Sequence, residues 1–190
     1  MIKKYNGFAA EVTRAAEHLP AGAYVCKIIK AETQDYSWGQ RLNVSIDIIE
    51  GEYKDFYANN YRNQQNEDKK WKGVLRLNVP NDDGSDKDEW TKRSFNNFTG
   101  VLEDANPGYK FDWDETKLKG KTVGVLFRNK EWEFNGRSGW ATEAFSTALV
   151  GDIRDGKDFK IKDKPLTAKN MNSSTNWATE SNSSSDELPF

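Results

Sequence analysis

The chain has 190 residues, 36% of them hydrophobic and 13% aromatic, with a formal net charge of -2. Residues 1–164 hold 27 basic and 27 acidic side chains, which excludes bulk electrostatic attraction to nucleic acid and leaves only a local cationic patch. A single cysteine, Cys26, and a single histidine, His18, exclude an internal disulfide and leave no Cys/His set for a zinc centre.

The length suits one substantial domain with appendages. No run approaches the roughly 18 apolar residues of a membrane span, and the N-terminus lacks an apolar signal core. The expectation is a soluble cytoplasmic protein.

In chain order, FAAEVTRAAEH predicts a short helix, with Val12, Ala15 and Ala16 at helical spacing and Pro20 and Gly22 ending it. AYVCKIIKAE, rich in β-branched and aromatic residues, predicts a first strand. RLNVSIDII predicts a second, because Leu42, Val44, Ile46 and Ile48 alternate with polar residues. QDYSWGQ is the turn between them and carries Tyr36 and Trp38. After the EGEYKD turn, DFYANNYR reads as a third strand. Residues 63–72 form a polar loop, and GVLRLNV is a short strand stopped by Pro80. WTKRSFNNFTGVLEDAN places Trp90, Phe95, Phe98, Val101 and Leu102 at amphipathic helical spacing. Asp86 or Asp88 is its expected cap, and Asn106-Pro107-Gly108 ends it. Two closing strands, KTVGVLFRNKEWEF and SGWATEAFSTALV, flank Asn135-Gly136, a strong hairpin signal.

Strands dominate and one helix interrupts them before the closing hairpin. The expected fold is mainly β with helical additions: an OB-fold five-stranded barrel over residues 1–164. An SH3-like barrel or a small α+β sheet is the alternative. From 165 the chain turns to Ser, Asn and Thr, a composition that cannot bury enough surface to offset its ordering entropy. Residues 165–185 are expected to be a flexible linker reaching about 25 Å, followed by the acidic tip Asp186-Glu187-Leu188-Pro189-Phe190.

No phosphate-binding loop, dinucleotide fingerprint or nucleophile elbow occurs. His18 sits at a helix end, where capping or solvent contact explains it. Two carboxylate groups, one at Asp82, Asp83, Asp86 and Asp88 and one at Asp112, Asp114 and Glu115, are the only candidates for a magnesium-dependent nuclease. Solvated loops explain both.

Aromatic and basic residues interleave repeatedly, as in proteins that stack single-stranded bases along a positive groove. DYSWGQR supplies Tyr36, Trp38 and Arg41. FYANNYR supplies Tyr57, Tyr61 and Arg62. KKWK sets Trp71 among Lys69, Lys70 and Lys72. FRNKEWEFNGR supplies Arg128, Lys130, Trp132, Phe134 and Arg137. In an OB-fold these stretches map onto strands 2–3 and the loops that frame them. Phe56, Phe95, Phe98, Phe111, Phe127 and Phe145 are expected in the core. Trp132 and Phe134 share a strand face, which puts both in the core or both at a ligand. Trp38 and Trp71 lie in polar loops beside basic residues, which favours ligand contact.

The DELPF ending behind a Ser/Asn-rich linker resembles the C-terminal tip of bacterial single-stranded DNA-binding proteins, with two acids here. A ring and a carboxylate can dock in a pocket with a basic rim. The body, through LPAGAY, IIEGEYKD and LKGK, resembles phage-encoded proteins of the same presumed function over residues 19–165. The resemblance implies single-stranded DNA as partner, recruitment of host or phage replication and recombination proteins by residues 186–190, a host-cell cytoplasmic location, and a role in DNA replication, recombination and repair. It implies no enzymatic activity, metal or cofactor. A recombination mediator or annealing protein is the alternative, with the nuclease behind it. Homo-oligomers through edge strands stay open.

Overall fold

The computed structural model describes residues 18–166. The expected N-terminal helix, apart from its last residue His18, and the tip 186–190 lie outside the described residues, as does all of the expected linker but Pro165 and Leu166.

Alternation sets the first hairpin. β1 (Gly22–Tyr36) and β2 (Gly39–Ile48) pair antiparallel. Leu42, Val44, Ile46 and Ile48 are buried on one face, and Asn43 and Ser45 point the other way. β1 runs further than the sequence suggests, because every residue from Lys30 to Tyr36 finds a β2 partner. Only Ser37 and Trp38 remain as the turn. A register shift between Ile28 and Lys30 bends the strand.

DFYANNYR is not a strand. It forms a helix, α1 (Phe56–Asn63), and the cause lies outside its own eight residues. The Asp47 carboxylate on β2 accepts from the backbone N–H groups of Tyr57 at 2.9 Å, Ala58 at 3.1 Å and Ile48 at 3.0 Å. Two of the orphan donors at the helix start are thereby satisfied from a neighbouring strand. The local cap position, Asp55, is left-handed and makes no side-chain cap bond. Burial pushes the Asp47 carboxyl above the usual aspartate range, although the three N–H groups pull it down. The folded state therefore holds that proton more tightly than the unfolded chain. This titration on its own weakens the fold as pH rises through the folded value.

β3 (Val74–Asn78) pairs with β2; its Leu75 and Leu77 are buried while Arg76 points out. α2 (Asp86–Ala105) is capped by Ser85, whose Oγ accepts from the Asp88 N–H; neither Asp86 nor Asp88 caps it. Asp88 instead turns inward, accepts from the Asn81 N–H at 2.8 Å and pairs with Lys92 at 3.3 Å. Phe95, Phe98, Val101 and Leu102 form the buried stripe of α2, which packs on β3, β4 and β5. At its end the Asn106 side chain accepts from the Thr122 N–H and donates to the carbonyls of Leu102 and Thr122. That contact fixes where β4 begins.

β4 (Thr122–Phe134) and β5 (Arg137–Ala148) form the second hairpin. Asn135 and Gly136 both have positive φ, 50° and 72°, as a type I′ turn requires. α3 (Val150–Arg154) closes over Gly124, where any side chain would strike the Ala148 carbonyl and the Ile153 methyl.

The sheet order is β3-β2-β1-β4-β5, antiparallel throughout. β3 and β5, the two edges, share no ladder, so the sheet is open and the expected closed barrel is not what the pairing shows. Of the phenylalanines expected in the core, Phe95, Phe98 and Phe127 are buried, and Phe56 and Phe111 pack against them half-buried. Phe145 lies half-buried on the second hairpin beneath the Arg128 guanidinium, 4.7 Å from the ring centroid. The outer part of β4 extends past the start of β1. There Lys164 bridges to it: its N–H donates to the Asn129 carbonyl, and its carbonyl accepts from the Glu131 N–H. Among the described residues no helix is long and apolar enough to cross a membrane.

Candidate nucleic-acid interface

The β1–β2 turn carries the best-organised aromatic and basic group. Tyr36 and Trp38 stack with centroids 5.0 Å apart and planes 12° from parallel. The Arg41 guanidinium lies 4.8 Å from the first ring and 5.2 Å from the second. The Tyr36 hydroxyl donates to Gln34 at 2.7 Å. The turn is held from the segment that follows β3: the Asn81 amide donates to the Trp38 carbonyl at 3.1 Å, and a Cβ on Gly39 would come within 2.5 Å of that amide. Trp38 is 41% exposed.

Pairing then extends this group across the sheet. Gln34 faces Arg41 and Glu32 faces Asn43 on β1–β2; Asn43 faces Arg76 and Arg41 faces Asn78 on β2–β3. The solvent face of these three strands therefore carries Tyr36, Arg41, Arg76 and a set of amides together with the Lys30–Glu32 ion pair, with the core behind it. Arg76 and Asn78 escaped the sequence reading. The signal was present: Leu75 and Leu77 alternate around Arg76, which forces it outward.

The second group is divided. Tyr61 is 38% exposed on α1 and its ring lies 5.9 Å from Trp71. Trp71, however, packs against the core, and its indole N–H donates to the Ile46 and Gly73 carbonyls, each at 3.1 Å. It is a half-buried anchor rather than an open stacking platform. Tyr57 is buried at 6% exposure, T-shaped against Phe56 and stacked with Phe127, so no base can reach it. Burial also raises its phenol well above the ordinary range. Arg62 and Lys69 are exposed and Lys70 is partly so, with Lys69 donating to the Arg62 carbonyl. Lys72 is exposed beside them. The rise of β2 places this group roughly 23 Å from the β1–β2 turn.

The third group shares one face of the β4–β5 hairpin: Arg128, Lys130, Trp132 and Phe134 on β4, with Arg137 opposite Phe134. Trp132 lies over Gly139, where a Cβ would approach its ring to 3.0 Å. Phe134 is 38% exposed. Trp140, 47% exposed, sits on the opposite face. The cations here are not idle. Glu143 pairs with Arg128 at 2.7 Å, Lys130 at 3.3 Å and Lys164 at 4.0 Å. Burial pushes the Glu143 carboxyl up, but the Arg128 hydrogen bond and the charges of Lys130 and Lys164 outweigh it, leaving it below the usual glutamate range. Its stabilising effect is present above the ordinary value of about 4.3 and is lost as pH falls through the lower folded value.

No family model and no curated protein matches this chain.

Glu143 yields a prediction with an unusual sign. In Glu143→Gln the three cations lose their internal counter-charge and become available to phosphates. Affinity for an oligo-dT should rise several-fold, and the salt dependence should steepen by about one unit of slope per freed contact. A titration at three salt concentrations checks both; unchanged affinity and slope would remove this hairpin from the interface.

Several of the acidic candidates have structural uses. Asp112 pairs with Lys117, and Asp114 accepts from the Thr116 N–H and hydroxyl at the start of a 3-10 turn, Glu115–Leu118. Asp82 and Asp88 both hold Lys92. Among the described residues no three His, Cys, Asp or Glu side chains group as a metal would need.

Proposed function

We propose that the chain is a non-catalytic single-stranded DNA-binding protein that tolerates any sequence and recruits replication and recombination proteins through residues 186–190. The Tyr36–Trp38–Arg41 stack at an exposed turn supports this most directly. It offers flat rings for bases beside a cation for phosphate, and it continues into the Arg76 face. We further read the fold as an OB-type barrel. The strand order, α2 between β3 and β4, and the approach of β3 to β5 fit that architecture. On this reading the protein acts in the cytoplasm of a host cell, in the manner of the phage proteins it resembles.

The test is a titration with oligo-dT, read by tryptophan fluorescence, using the full chain and a chain lacking 186–190 side by side. Micromolar or tighter binding with quenching, weakening as salt rises, is expected for both. Loss of DNA affinity on removing the tip would overturn its docking role. No binding at low salt would overturn the function.

A further inference from the structure

Trp113 sits at φ 67°, a left-handed conformation that bulky side chains rarely adopt. Glycine or asparagine would hold it with less strain, yet a tryptophan stands there. Its ring is 71% exposed. One side of the ring is stacked on Phe95, centroids 5.7 Å apart and 12° from parallel, and Phe111 tilts against it at 5.5 Å. These two ring contacts hold the strained residue in place, and strain of this kind clusters at ligand-binding sites.

The ring borders a groove of about 260 Å3 between α2 and the β1–β2 hairpin. Ligand pockets for drug-sized molecules run from about 300 Å3 upward, so this one fits a single planar ring system. Its floor is Phe95, Phe111 and Leu42, and its polar wall is Glu115, Gln40 and Thr33. Gln40 already donates its amide to Asp35, leaving its carbonyl oxygen as an acceptor. Glu115 contributes a carboxylate. The wall is therefore rich in acceptors and selects a ring whose edge carries donors. At Thr33 and Glu115 the groove opens into a wider depression of about 470 Å3 edged by Lys30 and Lys119. Lys30 pairs with Glu32, while Lys119 has no ion-pair partner among the described residues.

We propose that this groove binds a guanine nucleotide, with the base on Trp113 and the phosphate toward Lys119. Guanine alone among the bases presents N1–H and N2–H2 side by side, the pair a carboxylate accepts in bidentate fashion. Thymine offers a single N3–H. The inference rests on the proposed function where the base belongs to a bound strand; a free nucleotide is the other source of the same chemistry.

The experiment uses the full chain with dGMP, dTMP, inorganic phosphate, oligo-dT, and oligo-dT carrying one central guanine. Heat of binding and the indole N–H resonances report the contact. dGMP should bind at least fivefold tighter than dTMP and shift the Trp113 indole signal. Glu115→Gln should bring that ratio toward one, and Trp113→Ala should abolish dGMP binding while a melting curve confirms the fold. Where the guanine-containing oligonucleotide outcompetes oligo-dT, the source is a strand. Where only dGMP binds, it is a free nucleotide and the groove stands. Equal binding of dGMP and dTMP, the same shift from phosphate alone, or dGMP binding that survives Trp113→Ala would overturn the proposal. Normal oligo-dT binding in those cases leaves the proposed function intact.

Discussion

Trp38→Ala should weaken single-stranded DNA binding by about 5- to 150-fold. The range follows from about 1–3 kcal/mol per stacked base, with about 1.4 kcal/mol for each factor of ten. The upper part is expected, because Trp38 does not act alone. Its ring stacks on Tyr36 and lies beneath Arg41, so removing it also frees two side chains to wander. Fold stability should change little, since the ring is 41% exposed and the turn is tied down through the Trp38 carbonyl rather than its indole. Fluorescence anisotropy on a labelled oligo-dT, paired with a thermal melt, separates the two effects. Trp71→Ala is the contrast. That indole holds two carbonyls of the sheet, so its loss should cost stability more than affinity. Equal DNA affinity in Trp38→Ala and the unaltered chain would remove the turn from the interface.

Asp47→Ala should destabilise the fold by about 2–4 kcal/mol. The carboxylate is a substitute cap, and losing a cap costs about 1 kcal/mol. Burial adds to this, because each buried N–H left unpaired costs about 1–3 kcal/mol. Asp47→Asn is the informative partner. It keeps one acceptor oxygen, but its amide nitrogen must face either the Ala58 N–H or the pair at Tyr57 and Ile48, donor against donor. It should therefore lose a substantial part of the same energy despite its nearly identical shape. Urea unfolding of the three chains checks the order: unaltered, then Asn, then Ala. Helix signal should fall before the sheet melts, since α1 is what Asp47 holds. An Asp47→Ala midpoint equal to that of the unaltered chain would mean that α1 stands without it.

These two residues also mark where the sequence was legible. The β1–β2 turn and its aromatics were readable because period-two alternation on RLNVSIDII leaves the turn no other place. Asn135-Gly136 was readable because few dipeptides suit two positive φ angles. α1 was not. DFYANNYR is short, aromatic and bounded by turns, which a strand would be too. What decides it is a carboxylate on another element, and no local pattern encodes that contact. Burial of Tyr57 follows from the same error, since a strand would have alternated Phe56, Tyr57 and their neighbours differently. Trp71 misled because its sequence neighbours are lysines, while its spatial neighbours are backbone carbonyls. Glu143 was missed as a partner for Arg128 because register, not proximity in sequence, brings them opposite one another.

The bridge at Lys164 bears on aggregation. Beyond Phe127, β4 has lost β1, and one of its two sides would display bare amides and carbonyls to any extended chain nearby. Residues 163–166 occupy that side, and Leu166 fastens it by donating its N–H to the Glu131 carboxylate at 2.9 Å. Residues 163–166 thus guard that strand edge. A chain shortened to 166 keeps them, whereas one shortened to 160 leaves a sticky strand edge beside Trp132 and Phe134. Any tail-deletion experiment that cuts too far would then read self-association in place of lost partner docking.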